Sequence, residues 1–114
     1  MVRAVGNQGN WFARIEHASR YSEIDGKSFP CIFATHLKKT GYCDDGYEAG
    51  VAQWDSIVKA LRDDHIAILT RHRVDDDGTW HRDGYMRVVR VKNVDTADGT
   101  LRLDVVQNIC HLRN

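Results

Sequence analysis

The chain has 114 residues, 42% apolar and 28% charged, with 16 basic side chains against 16 acidic ones. That length and apolar content suit one folded domain with its own core and exclude a disordered tail. The cancelling charge excludes a whole-molecule field that would draw in nucleic acid or membrane, so any such partner needs a local patch.

Residues 1–10, with Gly6, Asn7, Gln8, Gly9 and Asn10 in sequence, read as a flexible lead-in to a single domain spanning 1–114. The opening residues lack the apolar core of a signal peptide, and no apolar run approaches the ~20 residues of a membrane helix. From Trp11 to Ala18 apolar and polar residues alternate, which predicts a strand. A polar connection with a turn at Asp25-Gly26 follows. The run Phe29 to His36 is strongly apolar, with Pro30 near its start where a strand tolerates it, and predicts a strand from about Cys31 to His36. Residues 38–47, carrying Gly41, Tyr42, Cys43, Asp44, Asp45, Gly46 and Tyr47, read as a loop.

A helix is expected over Glu48 to Arg62. Val51, Trp54, Ile57, Val58 and Leu61 recur at helical spacing, with Gln53, Asp55, Lys59 and Arg62 on the other face. Asp44 or Asp45 is the expected cap, and Trp54 an anchor in the core. Three β-branched runs then follow at His65–Val74, Gly84–Val94 and Leu101–Cys110. Asp75-Asp76-Asp77-Gly78 and Asp95 to Gly99 separate them, and an Asp-Gly ending is a strong hairpin signal. An antiparallel meander with the second run in the middle is the expectation. The whole predicts an α+β domain of about five mostly antiparallel strands and one amphipathic helix in the order ββαβββ, its sheet free to curl into a partly open barrel.

The charges sort unevenly in the last fifty or so residues. The strand runs carry Arg71, Arg73, Arg87, Arg90, Lys92 and Arg102 against Asp104 alone, while aspartates crowd the turns. With Arg71, Arg73, Arg90, Lys92 and Arg102 on one face, the sheet would offer phosphates a basic strip, and Trp80 and Tyr85 could stack on a base beside it. The alternative is a solvated face whose arginines pair with turn aspartates.

His72, His81 and Asp83 flank one turn near Trp80 and could supply an acid–base pair or a metal site. No zinc-type spacing accompanies them, and no metal or cofactor is expected. Asp75 to Gly78 lacks the alternating oxygen ligands of a calcium loop. Cys31, Cys43 and Cys110 are an odd number without CxxC spacing, which reads as free thiols in a reducing, cytoplasmic setting. Cys31 is expected in the core. Cys43 is expected nearer the surface, its thiolate disfavoured by Asp44 and Asp45.

Residues 29–34, Phe-Pro-Cys-Ile-Phe-Ala, followed by a helix and an apolar strand, are locally similar to a stretch of the YqcI/YcgG family, which includes haem-dependent hydroxylases. The later meander departs from that family, and no residue role is carried over. The order of a helix leading into barrel-like strands is similar to that of PUA-like nucleic-acid binding domains, a likeness of fold alone.

No complete catalytic constellation is present, which favours a small non-catalytic binding or adaptor protein over an enzyme. Nucleic acid or a nucleotide is the first candidate ligand, through Arg71, Arg73, Arg90, Lys92, Arg102, Trp80 and Tyr85. A protein partner, as for an inhibitor or accessory subunit, is the next. The alternative is a small enzyme built on the 72–83 turn. No membrane contact is expected, and an open sheet face or edge strand would allow a homodimer.

Overall fold

A computed structural model describes residues 1–6 and 11–113, apart from the side chains of residues 80, 82 and 83. The chain forms β1 (Arg3–Val5), β2 (Phe12–Glu16), β3 (Ser28–Phe33), β4 (Leu37–Lys38), β5 (Gly41–Asp44), α1 (Ala52–Asp64), β6 (Ile66–Val74), β7 (Trp80–Asp95) and β8 (Leu101–His111). These strands make one mostly antiparallel sheet of eight, in the order β1-β2-β3-β6-β7-β8-β5-β4, with β3 and β6 the parallel pair. The α+β character and the single helix agree with the sequence, but five strands undercount the sheet.

The additional strands are short and lie where a lead-in and a loop are expected. β1 pairs with β2 through Arg3–Glu16, Ala4–Ile15 and Val5–Arg14. β5 adds to β8 through Tyr42–Leu103, Cys43–Arg102 and Asp44–Leu101, and β4 folds back on β5. The expected lead-in therefore contains a strand in its first half, while residues 7–10 lie outside the described residues.

The meander forms as expected, with β7 antiparallel to β6 on one side and to β8 on the other. In the first turn Gly78 takes φ 85° and donates to the Asp75 carbonyl at 2.9 Å, while Asp77 Oδ1 accepts from Thr79 N at 2.9 Å. In the second, Asp98 and Gly99 both adopt positive φ, and Asp95 Oδ1 accepts from Ala97 N at 3.3 Å. The aspartates thus close both turns through their own side chains.

β7 buries both faces because the sheet curls strongly. On one face Ile66, Ile68, Val88, Cys31, Phe29, Ala13 and Ile15 pack with Ile24 and Cys110. On the other Ala67, Leu69, Val89, Val91, Leu101 and Leu103 pack under Ile57, Val58 and Leu61 of α1. The two rows alternate along β6 and β7 as a pleated strand requires. The curl brings β1 close enough to the chain's end for a parallel bridge between Arg3 and Arg113, with Arg113 N donating to the Val2 carbonyl at 3.0 Å.

The helix starts later than expected, at Ala52, with Val51 in the capping position and no side-chain cap. Asp44 does not cap it. That side chain is buried and accepts from Gly46 N at 2.9 Å, which tightens the turn after β5. The helix ends at His65, whose left-handed backbone (φ 56°, ψ 30°) returns its N–H to the Leu61 carbonyl at 3.0 Å. The sharp reversal feeds the chain directly into β6.

Candidate anion-binding cleft

Register decides where the cations go. Side chains alternate along β6, so Arg71 and Arg73 continue the row of Ala67 and Leu69, on the face that carries the helix. On β7, Val89 and Val91 belong to that same face, which sends Arg90 and Lys92 to the opposite one. Arg102 alternates with Leu101 and Leu103 and also faces away from the helix. Arg73 pairs with His81, eleven positions before Lys92 on the same strand, which at ~3.3 Å per residue puts at most roughly 36 Å of strand between them. The five cations therefore form two groups, Arg71 with Arg73 and Arg90 with Lys92 and Arg102.

Several of these charges are already engaged. Both carboxylate oxygens of Asp75 are taken, one by Arg73 Nη1 and the other by His81 Nε2. Arg90 Nη2 lies 3.0 Å from each carboxylate oxygen of Glu23, and its Nε donates to Gln107 at 3.2 Å. Arg71 has no carboxylate partner among the described residues.

Arg71 instead lines a cleft of about 280 Å³ together with Gly84, Tyr85, Met86, Arg87, His111 and Leu112. The pairing explains the convergence. Arg87 stands opposite Leu69 on β6 and opposite His111 on β8, so all three share the helix-bearing face beyond the helix itself. Arg71 sits one same-face position further along β6, opposite Gly84, whose missing side chain leaves the space beside it open.

A register shift between Leu69 and Thr70 makes Met86 the extra residue between Tyr85 and Arg87. Such a bulge bends the strand and re-aims its side chains. Gly6 lies against the Tyr85 hydroxyl, where an added Cβ would come within 2.8 Å of it and 3.1 Å of the Phe12 carbonyl. None of the described lining residues is acidic. Arg87 Nε is enclosed and has no hydrogen-bond acceptor among the described residues.

Of the seven residues singled out from the sequence, the structure thus brings Arg71 and Tyr85 to one cleft and leaves Arg73, Arg90, Lys92 and Arg102 outside its lining. The side chain of Trp80 lies outside the described residues. Arg87 and His111 complete the cleft and were not among the seven. Arg87 appears in the count of strand cations, yet alternation alone puts it on the face opposite Arg90, and only the β7–β8 pairing sets it beside His111.

In the 72–83 turn the described carboxylate partner of His81 is Asp75. His81 is directly across from Arg73, and His72 is the neighbour of Arg73 along β6. His72 packs against the Phe33 ring at 4.8 Å, and its pKa is lowered by burial and by the nearby His36. The Asp83 side chain lies outside the described residues. No group of three or more metal-ligating side chains occurs among the described residues.

A second cluster lies at the ends of β3 and β5. Tyr42 is buried, and its hydroxyl accepts from Phe33 N at 3.4 Å; burial and the adjacent Asp44 push its pKa up. Trp11 stacks on Trp54 at 6.2 Å and meets Phe33 edge-on at 5.3 Å. Tyr42, Trp11 and Trp54 pack in the helix-side core, which gives Trp54 the anchoring place expected of it.

Comparison with protein-family models, curated proteins and solved structures returns no match for this chain. What the cleft accepts is therefore read from its own side chains. Two guanidinium groups and an imidazole around a concave space, with no carboxylate among the described lining residues, favour an anion.

Proposed function

We propose that this chain is a small non-catalytic binding protein whose ligand carries a phosphate, with a nucleotide or nucleic acid as first candidate, held in the cleft between β6, β7 and β8. The observation that carries this reading is that Arg71, Arg87 and His111 line one cavity with no acidic residue among its described lining residues. Arginine suits the role because its planar fork presents paired N–H groups to oxyanions and stays charged at any physiological pH. Tyr85 and Met86 add an apolar wall on which a ring could rest. The sequence contributes an argument of its own, since cations fall in the strands while carboxylates fall in the turns. The odd number of cysteines without CxxC spacing is the ground for including a reducing, cytoplasmic setting in this reading.

Binding of a fluorescein-labelled hexanucleotide, followed by anisotropy across a salt series, tests the reading. Affinity should fall as salt rises, and Arg71→Ala should weaken binding about tenfold, the loss of one charge-assisted contact. Unchanged affinity in both Arg71→Ala and Arg87→Ala would remove the cleft as the site.

A further inference from the structure

We propose that the β6–β7 hairpin is a dimerisation arm whose partner is the same arm of a second copy, laid edge to edge and antiparallel across a two-fold axis at Val74. This goes beyond the cleft and does not rest on it. The ladder between β3 and β6 ends at Phe33–Thr70, and that between β8 and β7 ends at Arg87–His111, with Leu112 N donating to the Met86 carbonyl at 2.9 Å. β6 and β7 run on past both as a ribbon over Arg71–Val74 and Trp80–Tyr85, where, among the described residues, the strand paired with each is the other. A ribbon of two strands is marginally stable by itself in water, so a third strand along its flank would support it. The β6 edge suits that addition. The two register shifts put their extra residues, Met86 and Asp83, on β7, so β6 is unbroken from Ile66 to Val74. Val74, at its end, is 51% exposed. Bulges commonly blunt an edge, and here they fall on the other strand.

The order of charges selects the partner. Arg71, His72 and Arg73 precede Val74, and Asp75, Asp76 and Asp77 follow it. A two-fold at Val74 therefore sets these three basic side chains opposite the partner's Asp77, Asp76 and Asp75 in turn, and each valine meets its copy. Within one chain Arg73 and His81 already meet Asp75, which leaves the exposed Arg71 facing the partner's exposed Asp76 and Asp77 as the main attraction across the axis. Arg82 and Asp83 add one charge of each sign to the arm. Edge charges of a single sign would repel a second copy, whereas this mirrored order attracts one. The three carboxylates at the tip also oppose insertion of the arm into a nucleic-acid groove. So few residues from each copy bury less than the ~1,200 Å² at the low end of stable interfaces, which makes the dimer a weak one that yields to salt.

Sedimentation equilibrium of the full, ligand-free chain from about 10 µM to about 1 mM tests the proposal. The mean mass should climb from one subunit toward two, and added salt should push it back. Val74→Lys and Val74→Asp, changes at an exposed side chain on the axis, each set like charges face to face. Each should weaken association by about fivefold or more with the circular dichroism spectrum unchanged. An equimolar mixture of the two variants should recover wild-type strength, which loss of a merely structural side chain would not allow. A one-subunit mass at every concentration would overturn the proposal, and would favour nucleic acid as the arm's partner if Val74→Asp also weakened hexanucleotide binding. Association that both variants leave unchanged would overturn the arm as its seat. Two weakened variants whose mixture stays weak would overturn the axis at Val74.

Discussion

Arg90 reaches Glu23 across 67 positions of sequence, its Nη2 lying 3.0 Å from each carboxylate oxygen. Glu23 belongs to the segment that carries Ile24 into the core between β2 and β3, so the pair fastens that segment to β7. Both side chains are partly exposed, which limits such a bridge to about 0–1 kcal/mol. The consequence for function is larger, because Arg90 is a tethered cation outside the cleft's lining. Arg90→Ala combined with Lys92→Ala should leave hexanucleotide affinity within about twofold, whereas Arg71→Ala costs about tenfold. Anisotropy titration of the two variants side by side decides it, and a larger loss in the double variant would move the site to the opposite face.

Thr70 is fully buried in β6, and its Oγ1 donates to the Ile32 carbonyl at 3.1 Å. The bond crosses the parallel β3–β6 pair, the one junction in the sheet that the helical crossover has to close. Thr70→Val keeps the shape and deletes the donor. It should destabilise the fold by about 1 kcal/mol, the net worth of a buried neutral hydrogen bond. Urea unfolding would register this as a lower midpoint at constant slope. A midpoint equal to wild type would mean the hydroxyl is dispensable.

What could be read ahead of the structure was whatever is local. Val51, Trp54, Ile57, Val58 and Leu61 announce a helix by spacing, and the last four pack on its core side. Asp77-Gly78 and Asp98-Gly99 announce the turns of the meander because glycine takes positive φ freely. The short strands could not be read this way. Gly41 to Asp44 becomes β5 only because Leu101 to Leu103 is there to pair with it, and Arg3 to Val5 only because β2 is. The cleft was hidden for the same reason. Arg71, Arg87 and His111 lie on three strands, and their meeting depends on pairing partners and on a bulge at Met86 that no periodicity signals.

His65 illustrates a cost the fold carries locally. Its φ of 56° places a β-carbon-bearing residue in the left-handed region at the helix end, where glycine is the usual occupant. The side chain is exposed, and the backbone does the structural work: its N–H reaches the Leu61 carbonyl and its carbonyl accepts from Val91 N at 2.8 Å. His65→Gly should therefore stabilise the protein, by up to about 1 kcal/mol once the greater freedom of glycine in the unfolded chain is offset. Thermal unfolding should show a rise of a few degrees. A fall would mean that the imidazole contributes more than the backbone conformation costs.

His72 sets an expected pH dependence. Burial lowers its pKa, and the charge of His36 lowers it further. Around it are the Phe33 ring at 4.8 Å and His36, which itself lies 3.8 Å from Asp44 and faces the Tyr42 ring. The folded state thus holds His72 neutral at pH values where the unfolded chain, titrating near 6.5, already takes up a proton. Over that window the unfolded state binds more protons, so stability rises with pH and falls as pH drops. The contribution of His72 is complete above 6.5 and is lost as pH falls through the lowered folded value. His72→Phe removes the titrating group, and its urea midpoint should decline less than that of wild type between about pH 7.5 and 5. His36→Gln should reproduce part of the effect by removing the second cause while leaving burial in place. Parallel declines in wild type and His72→Phe would assign the acid sensitivity to other groups.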